Sequence, residues 1–180
     1  MSASDSQEPT FPAAALWRRL AAIVYDGLVL IAVLALVTFA FVPFLGGKVL
    51  IPAEVGWLAY AYRACQVLIT TLFFSYFWTR AKGQTLGMQA WRLRIETATG
   101  QRVSWGTAFA RTGILWAFTV PPILGYWLLW HDWPTWPRIA AWAIALAPLV
   151  LCYASVAFSR DKLSWHDRWT HTRVVQLPKR

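Results

Sequence analysis

The sequence predicts an all-α membrane protein, a four-helix transmembrane bundle with a cytoplasmic loop patterned for a short β-hairpin. Three observations predict it. The chain of 180 residues is 58% hydrophobic with mean hydropathy +0.43, against about 45–50% apolar residues in soluble domains. Its apolar residues come in four long blocks rather than amphipathic stripes. Its cations collect in alternate segments between those blocks, as the positive-inside rule requires of a chain that crosses a bilayer repeatedly.

Residues 1–15 are polar and poor in positive charge, and read as a disordered cytoplasmic N-terminus. The following apolar block is longer than the roughly 7–15 residues of a signal peptide core and carries Asp26, so it reads as an uncleaved anchor. The membrane domain is expected over 16–175, with helices at about 20–45, 55–79, 112–130 and 139–159, and a basic tail at 176–180. Each block approaches the roughly 20 apolar residues that about 30 Å of hydrocarbon demands.

The first block holds the most informative residue. Asp26 lies inside it, with Arg18 and Arg19 at its mouth. A carboxylate in a membrane helix costs roughly 2.5–3.5 kcal/mol, so it needs a partner. Arg19 and Asp26 are seven residues apart, close to two helical turns, which places them on one face and predicts that they support each other. Pro43 with Gly46-Gly47 predicts the end of this helix. The second block carries Arg63 near its start. Pro121-Pro122 predicts a kink in the third, and Pro148 marks a weak point in the fourth. Ala141 with Ala145, and Ala143 with Ala147, give the fourth a small-residue face for helix packing.

Arg80, Lys82, Arg92, Arg94, Arg102 and Arg111 lie in the middle loop, and Arg160, Lys162, Arg168 and Arg173 in the tail; Lys48, Arg63 and Arg138 lie on the other side. This asymmetry puts both termini and the middle loop in the cytoplasm. Tryptophans agree: Trp17, Trp78, Trp91, Trp105, Trp165 and Trp169 flank the inner face, and Trp57, Trp127, Trp130, Trp133 and Trp136 the outer, where indole rings prefer headgroup depth. The net charge of +9 is therefore read as topological, with no nucleic acid among the partners.

The middle loop contains Gly83-Gln84-Thr85-Leu86-Gly87-Met88, which lacks the phosphate-cradling GxxxxGK[ST] spacing. Trp91 to Thr97 alternates apolar and polar residues, a strand signal. Ala98-Thr99-Gly100 supplies a turn, and Gln101 to Ser104 the returning strand of a hairpin. In the tail, His166 and His171 are five apart, the wrong spacing for HExxH, so no metal is expected. Cys65 and Cys152 read as small buried apolar residues.

Three segments together resemble the RDD family of small bacterial membrane proteins, named for one arginine and two aspartates. Arg19 and Asp26 sit in Arg19-Leu20-Ala21-Ala22-Ile23-Val24-Tyr25-Asp26; the loop from Gly83 to Arg94 is similar to the family's glycine-led segment; Arg111 fits the basic residue opening the next helix. The tail His166-Asp167-Arg168, followed by Thr172-Arg173-Val174-Val175, is similar to the closing motif, with Asp167 as the second aspartate. The chain departs from the pattern at Met88, where a lysine is frequent, and at His171-Thr172. The resemblance implies a multi-pass protein of the bacterial cytoplasmic (inner) membrane, and transport of some ligand, including cation–proton exchange, has been proposed for the family.

Arg19, Asp26, Arg111 and Asp167 are accordingly the candidate residues of one ion network near the cytoplasmic face. The expected role is structural, accessory or in assembly. The alternative is transport of small ligands, or cation/proton antiport by an oligomer, with Asp26 as the exchanging carboxylate. No nucleophile with a base, metal cluster or cofactor motif is visible, so neither enzymatic activity nor a cofactor is expected. Expected partners are the lipid bilayer, anionic lipid headgroups, and a second copy or another membrane protein.

Overall fold

The computed structural model describes residues 11–80, 82–125 and 134–178, with side chains throughout except at 121–125. In chain order the elements are α1 (Leu16–Phe41), α2 (Pro52–Val55), α3 (Trp57–Thr79), α4 (Leu86–Ala90), β1 (Leu93–Thr97), α5 (Trp105–Gly125), α6 (Thr135–Phe158), α7 (Trp165–Trp169) and β2 (Thr172–Gln176). A 3-10 turn, Val42–Phe44, closes α1 at Pro43, and Gly46 and Gly47 then take positive φ, a backbone that glycine adopts without a Cβ penalty.

Among the described residues, Leu16–Phe44 and Thr135–Phe158 are long and apolar enough to cross a membrane. The flanks of α1 expose Val24, Leu28, Ile31, Leu36 and Phe39. A continuous outward apolar face of that kind is expensive in water and ordinary in lipid. The other two long helices, α3 and α5, have 23 and 21 residues. The start of α1, the end of α3, the start of α5 and the end of α6 gather at one end of the molecule, where Arg19, Trp78, Arg111 and Tyr153 line a common cavity. Neighbouring long helices therefore alternate in direction.

A small sheet closes that end. β1 and β2 pair antiparallel, with Leu93 opposite Gln176 and Ile95 opposite Val174. Here the structure corrects the hairpin expected within the middle loop. The chain does turn after β1, with the Thr97 N–H donating to the Gln101 carbonyl at 2.9 Å, but residues 101–104 form no strand. Their chemistry explains why. Val103 is needed in a core with Trp78, Ile95 and Ala108, and the Ser104 hydroxyl accepts from the Thr107 N–H at 3.2 Å in the first turn of α5. The β-branched pair Val174-Val175 is the better strand, and both of its side chains are buried.

The N-terminus differs from expectation as well. Residues 1–10 lie outside the described residues, but the stretch from Phe11 is tied to the outer edge of β2. The Ala14 N–H donates to Val174 O at 2.9 Å and the Gln176 N–H to Pro12 O at 2.8 Å. The free edge of a two-stranded sheet offers unpaired backbone groups, and this stretch takes them up. Helix boundaries shift in the same sense: α5 begins at Trp105 rather than near 112 and continues past Pro121-Pro122 to Gly125. Pro148 is accommodated inside α6. Trp127, Trp130 and Trp133, assigned to the outer belt, lie outside the described residues, as do residues 179–180 of the tail.

Candidate functional site: a buried arginine–aspartate cluster

The cluster is built on α7, a single turn of helix. The Asp167 carboxylate reaches back to its N-cap, accepting from the Ser164 N–H at 3.0 Å, which stops the helix end from fraying and fixes the side chain. Asp167 is fully buried and takes one arginine on each oxygen: Arg19 Nη1 at 2.6 Å on Oδ2 and Arg111 Nη2 at 2.6 Å on Oδ1. The Arg19 contact is a directed hydrogen bond; the Arg111 contact is ionic, off the hydrogen-bonding direction, since Oδ1 has no aligned donor. Thus α1 and α5 are joined through the tail.

Each arginine is secured further. Arg19 donates from Nε to Ala14 O at 3.2 Å and from Nη2 to Lys162 O at 2.8 Å. Arg111 donates from Nη1 to Thr172 Oγ1 at 2.5 Å and stacks over the Trp78 ring, 5.4 Å from its centroid. Burial by itself raises the Asp167 pKa, but Arg111, Arg19, His166 and the Ser164 bond outweigh it and hold the carboxyl well below the usual range. It is ionised at neutral pH. His166 next to it is neutral: burial and then Arg111 push its pKa down to about 3, against the pull of Asp167. Its Nδ1 lies 3.1 Å from Cys152 Sγ and its Nε2 3.2 Å from Ser164 Oγ, so one ring nitrogen donates and the other accepts.

Asp26 is placed differently from expectation. Arg19 pairs with Asp167, not with Asp26. Seven residues of helix separate Arg19 from Asp26 by about 10 Å along the axis, while α7 delivers Asp167 directly beside the guanidinium. Asp26 is held instead by the middle loop. Thr85 Oγ1 donates to Oδ2 at 2.5 Å and the Gly87 N–H to Oδ1 at 2.7 Å. Thr85 is the N-cap of α4 and accepts from the Met88 N–H at 3.2 Å, so the same hydroxyl starts a helix and grips a carboxylate. Gly87 is required by space: a Cβ there would press onto the Ala22 carbonyl oxygen and stand 2.9 Å from Asp26 Cγ.

Of the four expected residues, then, Arg19, Arg111 and Asp167 converge, and Asp26 of α1 stands apart, held by the middle loop. Arg19, Asp26, Trp78, Thr85, Arg111 and His166 all line one cavity of about 110 Å³. Five contributors are given no part in the network by the sequence. Thr85 and Gly87 belong to a segment dismissed as a phosphate loop. Trp78 was assigned to the membrane belt and is buried. Cys152 and His166 are far apart in sequence and touch only through the fold. On the sheet's outer side, buried Glu96 binds Arg94 at 2.5 Å and Arg173 at 2.8 Å, which ties β1 to β2 across the register.

A family model described as RDD family matches residues 13–171. No curated protein and no solved structure matches the chain.

Proposed function

Because the chain belongs to the RDD family, and so to a family of membrane proteins, we propose that it is a multi-pass protein of the bacterial inner membrane, with α1, α3, α5 and α6 as four spans. In this reading both termini and the middle loop are cytoplasmic. The apolar length of α1 and α6, the alternating helix directions and the concentration of arginine and lysine in the middle loop and tail support it. The sheet then caps the cytoplasmic end, with Arg92 and Arg102 exposed and Arg18 half-buried toward anionic headgroups.

The role proposed is non-enzymatic, that of an accessory or assembly component. One observation carries it: a single fully buried carboxylate joins Arg19, 148 residues earlier in the chain, to Arg111 of a different helix. Breaking a buried pair by removing one partner costs roughly 3–5 kcal/mol, so the cluster acts as a static lock on the bundle's cytoplasmic end. The partner is a second copy or another membrane protein. A specific observation favours the second reading, transport of a small ligand or cation/proton exchange by an oligomer. Asp26 has no ion-pair partner among the described residues and lines the cavity.

Proteoliposomes containing only this protein separate the two. The lock predicts no cation-dependent proton flux, and lower abundance of Asp167→Asn. Flux in the parent that is lost in a well-folded Asp26→Asn would establish transport instead. Reporter fusions test the topology: positions after Gly47 and at Trp133 report outside, and a position after Gly100 reports inside. A cytoplasmic signal at Trp133 would contradict it.

A further inference from the structure

The chain contains one structural unit twice. α3, α4 and β1 end at Thr79, Ala90 and Thr97, and α6, α7 and β2 end at Phe158, Trp169 and Gln176, with the same spacing throughout. Both short helices start from a hydroxyl N-cap in extended backbone, Thr85 and Ser164. Both leave through a residue of positive φ, Arg92 at 55° and His171 at 49°. β1 and β2 bury the same positions, and the second residue of each, Arg94 and Arg173, binds one oxygen of Glu96. The preceding helices correspond as well. The Thr97 N–H donates to Gln101 O ahead of α5, and the Gln176 N–H to Pro12 O ahead of α1. The strand register puts the two-fold axis through the Ile95–Val174 pair. α1 and α5 are therefore twins, as are α3 and α6. The cavity lies between the halves, with Phe74 and its twin Tyr153 both on its wall, and repeat interfaces are where repeat-built membrane proteins place their binding sites.

Two seams join the halves, α3 to α5 and α6 to α1. Symmetry would make them alike, and they differ. In the first, Trp116 Nε1 donates to Thr71 Oγ1 at 2.9 Å, and Thr79 and Thr112 are buried, 8% and 3% exposed. In the second, Gly27 stands at the twin position of Trp116 and Val150 at that of Thr71. Val150 is exposed, and a Cβ on Gly27 would meet no atom within 4 Å among the described residues. Phe158, the twin of Thr79, is 89% exposed, and Ile23, the twin of Thr112, is 43% exposed. Ile23 also lines the cavity. The cavity is thus sealed along α3 and α5 and breached between α1 and α6. We propose that it opens sideways into the bilayer through that breach and takes the acyl chain of a membrane lipid. The proposal rests on α1 and α6 being membrane spans. An opening that faces hydrocarbon admits apolar chains and resists ions. Ile23, Phe74, Met88 and Leu115 give the chain an apolar wall, and a void of that kind is filled by an apolar molecule rather than by water. Charged groups on the wall already have partners, Arg19 in Asp167 and Asp26 in Thr85 and Gly87. A volume of about 110 Å³ admits a segment of a few methylene groups.

The test places the full chain in phosphatidylcholine nanodiscs that carry a small fraction of phospholipid with a diazirine in its acyl chain. After irradiation, the adducts are mapped by mass spectrometry of the digested protein. Adducts are expected on Phe74 and Leu115 inside the cavity, on Ile23 and Val150 at its opening, and on Leu36 and Ile144, which face outward from α1 and α6. Gly27→Trp with Val150→Thr rebuilds at the open seam the pair that closes the other one. It should remove the adducts on Phe74 and Leu115 and leave those on Leu36 and Ile144. Ile23→Trp, at an exposed position, stoppers the opening by bulk alone and covers the case that the double variant does not fold. Absence of adducts on Phe74 and Leu115 in the parent, or their persistence in the folded plugged variants, would overturn the proposal. So would adducts on Leu36 and Ile144 without any on Ile23 and Val150, the pattern expected if a second protein covers the seam. Failure to label Leu36 and Ile144 would instead sink the assignment of α1 and α6 as spans, and the portal with it.

Discussion

Asp167→Asn removes one negative charge and almost no volume from the centre of the cluster. In the parent, the carboxylate has one arginine at 2.6 Å on each oxygen and the Ser164 N–H at 3.0 Å. The amide leaves two buried guanidinium groups with no counter-anion between them, and its NH2 must face a cation or give up the N-cap bond. Leaving a buried charge unpaired costs roughly 3–5 kcal/mol, which is about two to four powers of ten in the folded-to-unfolded ratio. Arg111→Leu is the informative comparison. It removes the surplus cation, leaves Arg19 and Asp167 as a one-to-one pair, and loses the Thr172 bond and the contact with Trp78; about 1–3 kcal/mol is expected. Thermal unfolding in detergent and the amount of folded protein in membranes should therefore rank the parent above Arg111→Leu and Arg111→Leu above Asp167→Asn. Asp167→Asn within about 0.5 kcal/mol of the parent, the range of ordinary surface substitutions, would refute the reasoning.

Gly87→Ala places a Cβ against the Ala22 carbonyl and Asp26 Cγ, and should destabilise by about 1–3 kcal/mol in the same melts; an unchanged melting temperature would mean that α4 does not pack on α1 as described. Acid should destabilise through His166. The unfolded imidazole takes a proton near its ordinary 6.5 and the folded one only at about 3, so the unfolded chain binds more protons between those values and stability falls as pH drops through that window, by up to about 1.4 kcal/mol per unit. Asp167, whose pKa is depressed, adds a loss in the same direction below about pH 4. His166→Gln should flatten the upper part of the curve, from pH 6.5 to about 4, and leave the acid limb; a parent melting temperature flat from pH 7 to 4.5 would contradict the buried neutral histidine.

Long apolar blocks made the helices legible, because length and hydropathy are properties of contiguous sequence. Arg19 and Asp26 were legible as exceptional for the same reason: an ionisable group in such a block stands out. Their partners were not. Helical spacing puts Arg19 and Asp26 on one face and so suggests a pair, but it carries no information on what the loop and tail bring alongside. Asp167 comes from a turn 148 residues later, and Thr85 from a loop whose glycines invite a different motif. The alternation in Leu93–Thr97 correctly marked a strand, yet strand partners are chosen by which other segment has apolar side chains to spare. Val103 and Ser104 were already committed to the helix core and the start of α5, whereas Val174 and Val175 were not.

The claim at the centre of this account is that Arg19 serves Asp167 rather than Asp26. Two double-mutant cycles measure it, one with Arg19→Gln and Asp167→Asn, the other with Arg19→Gln and Asp26→Asn, each read as unfolding free energy in the same detergent. Groups in direct contact couple by about 0.5–3 kcal/mol, so the first cycle should show clear non-additivity, with the double variant milder than the sum of the singles. The second should be additive to within about 0.5 kcal/mol. A larger coupling in the Asp26 cycle than in the Asp167 cycle would contradict the arrangement described.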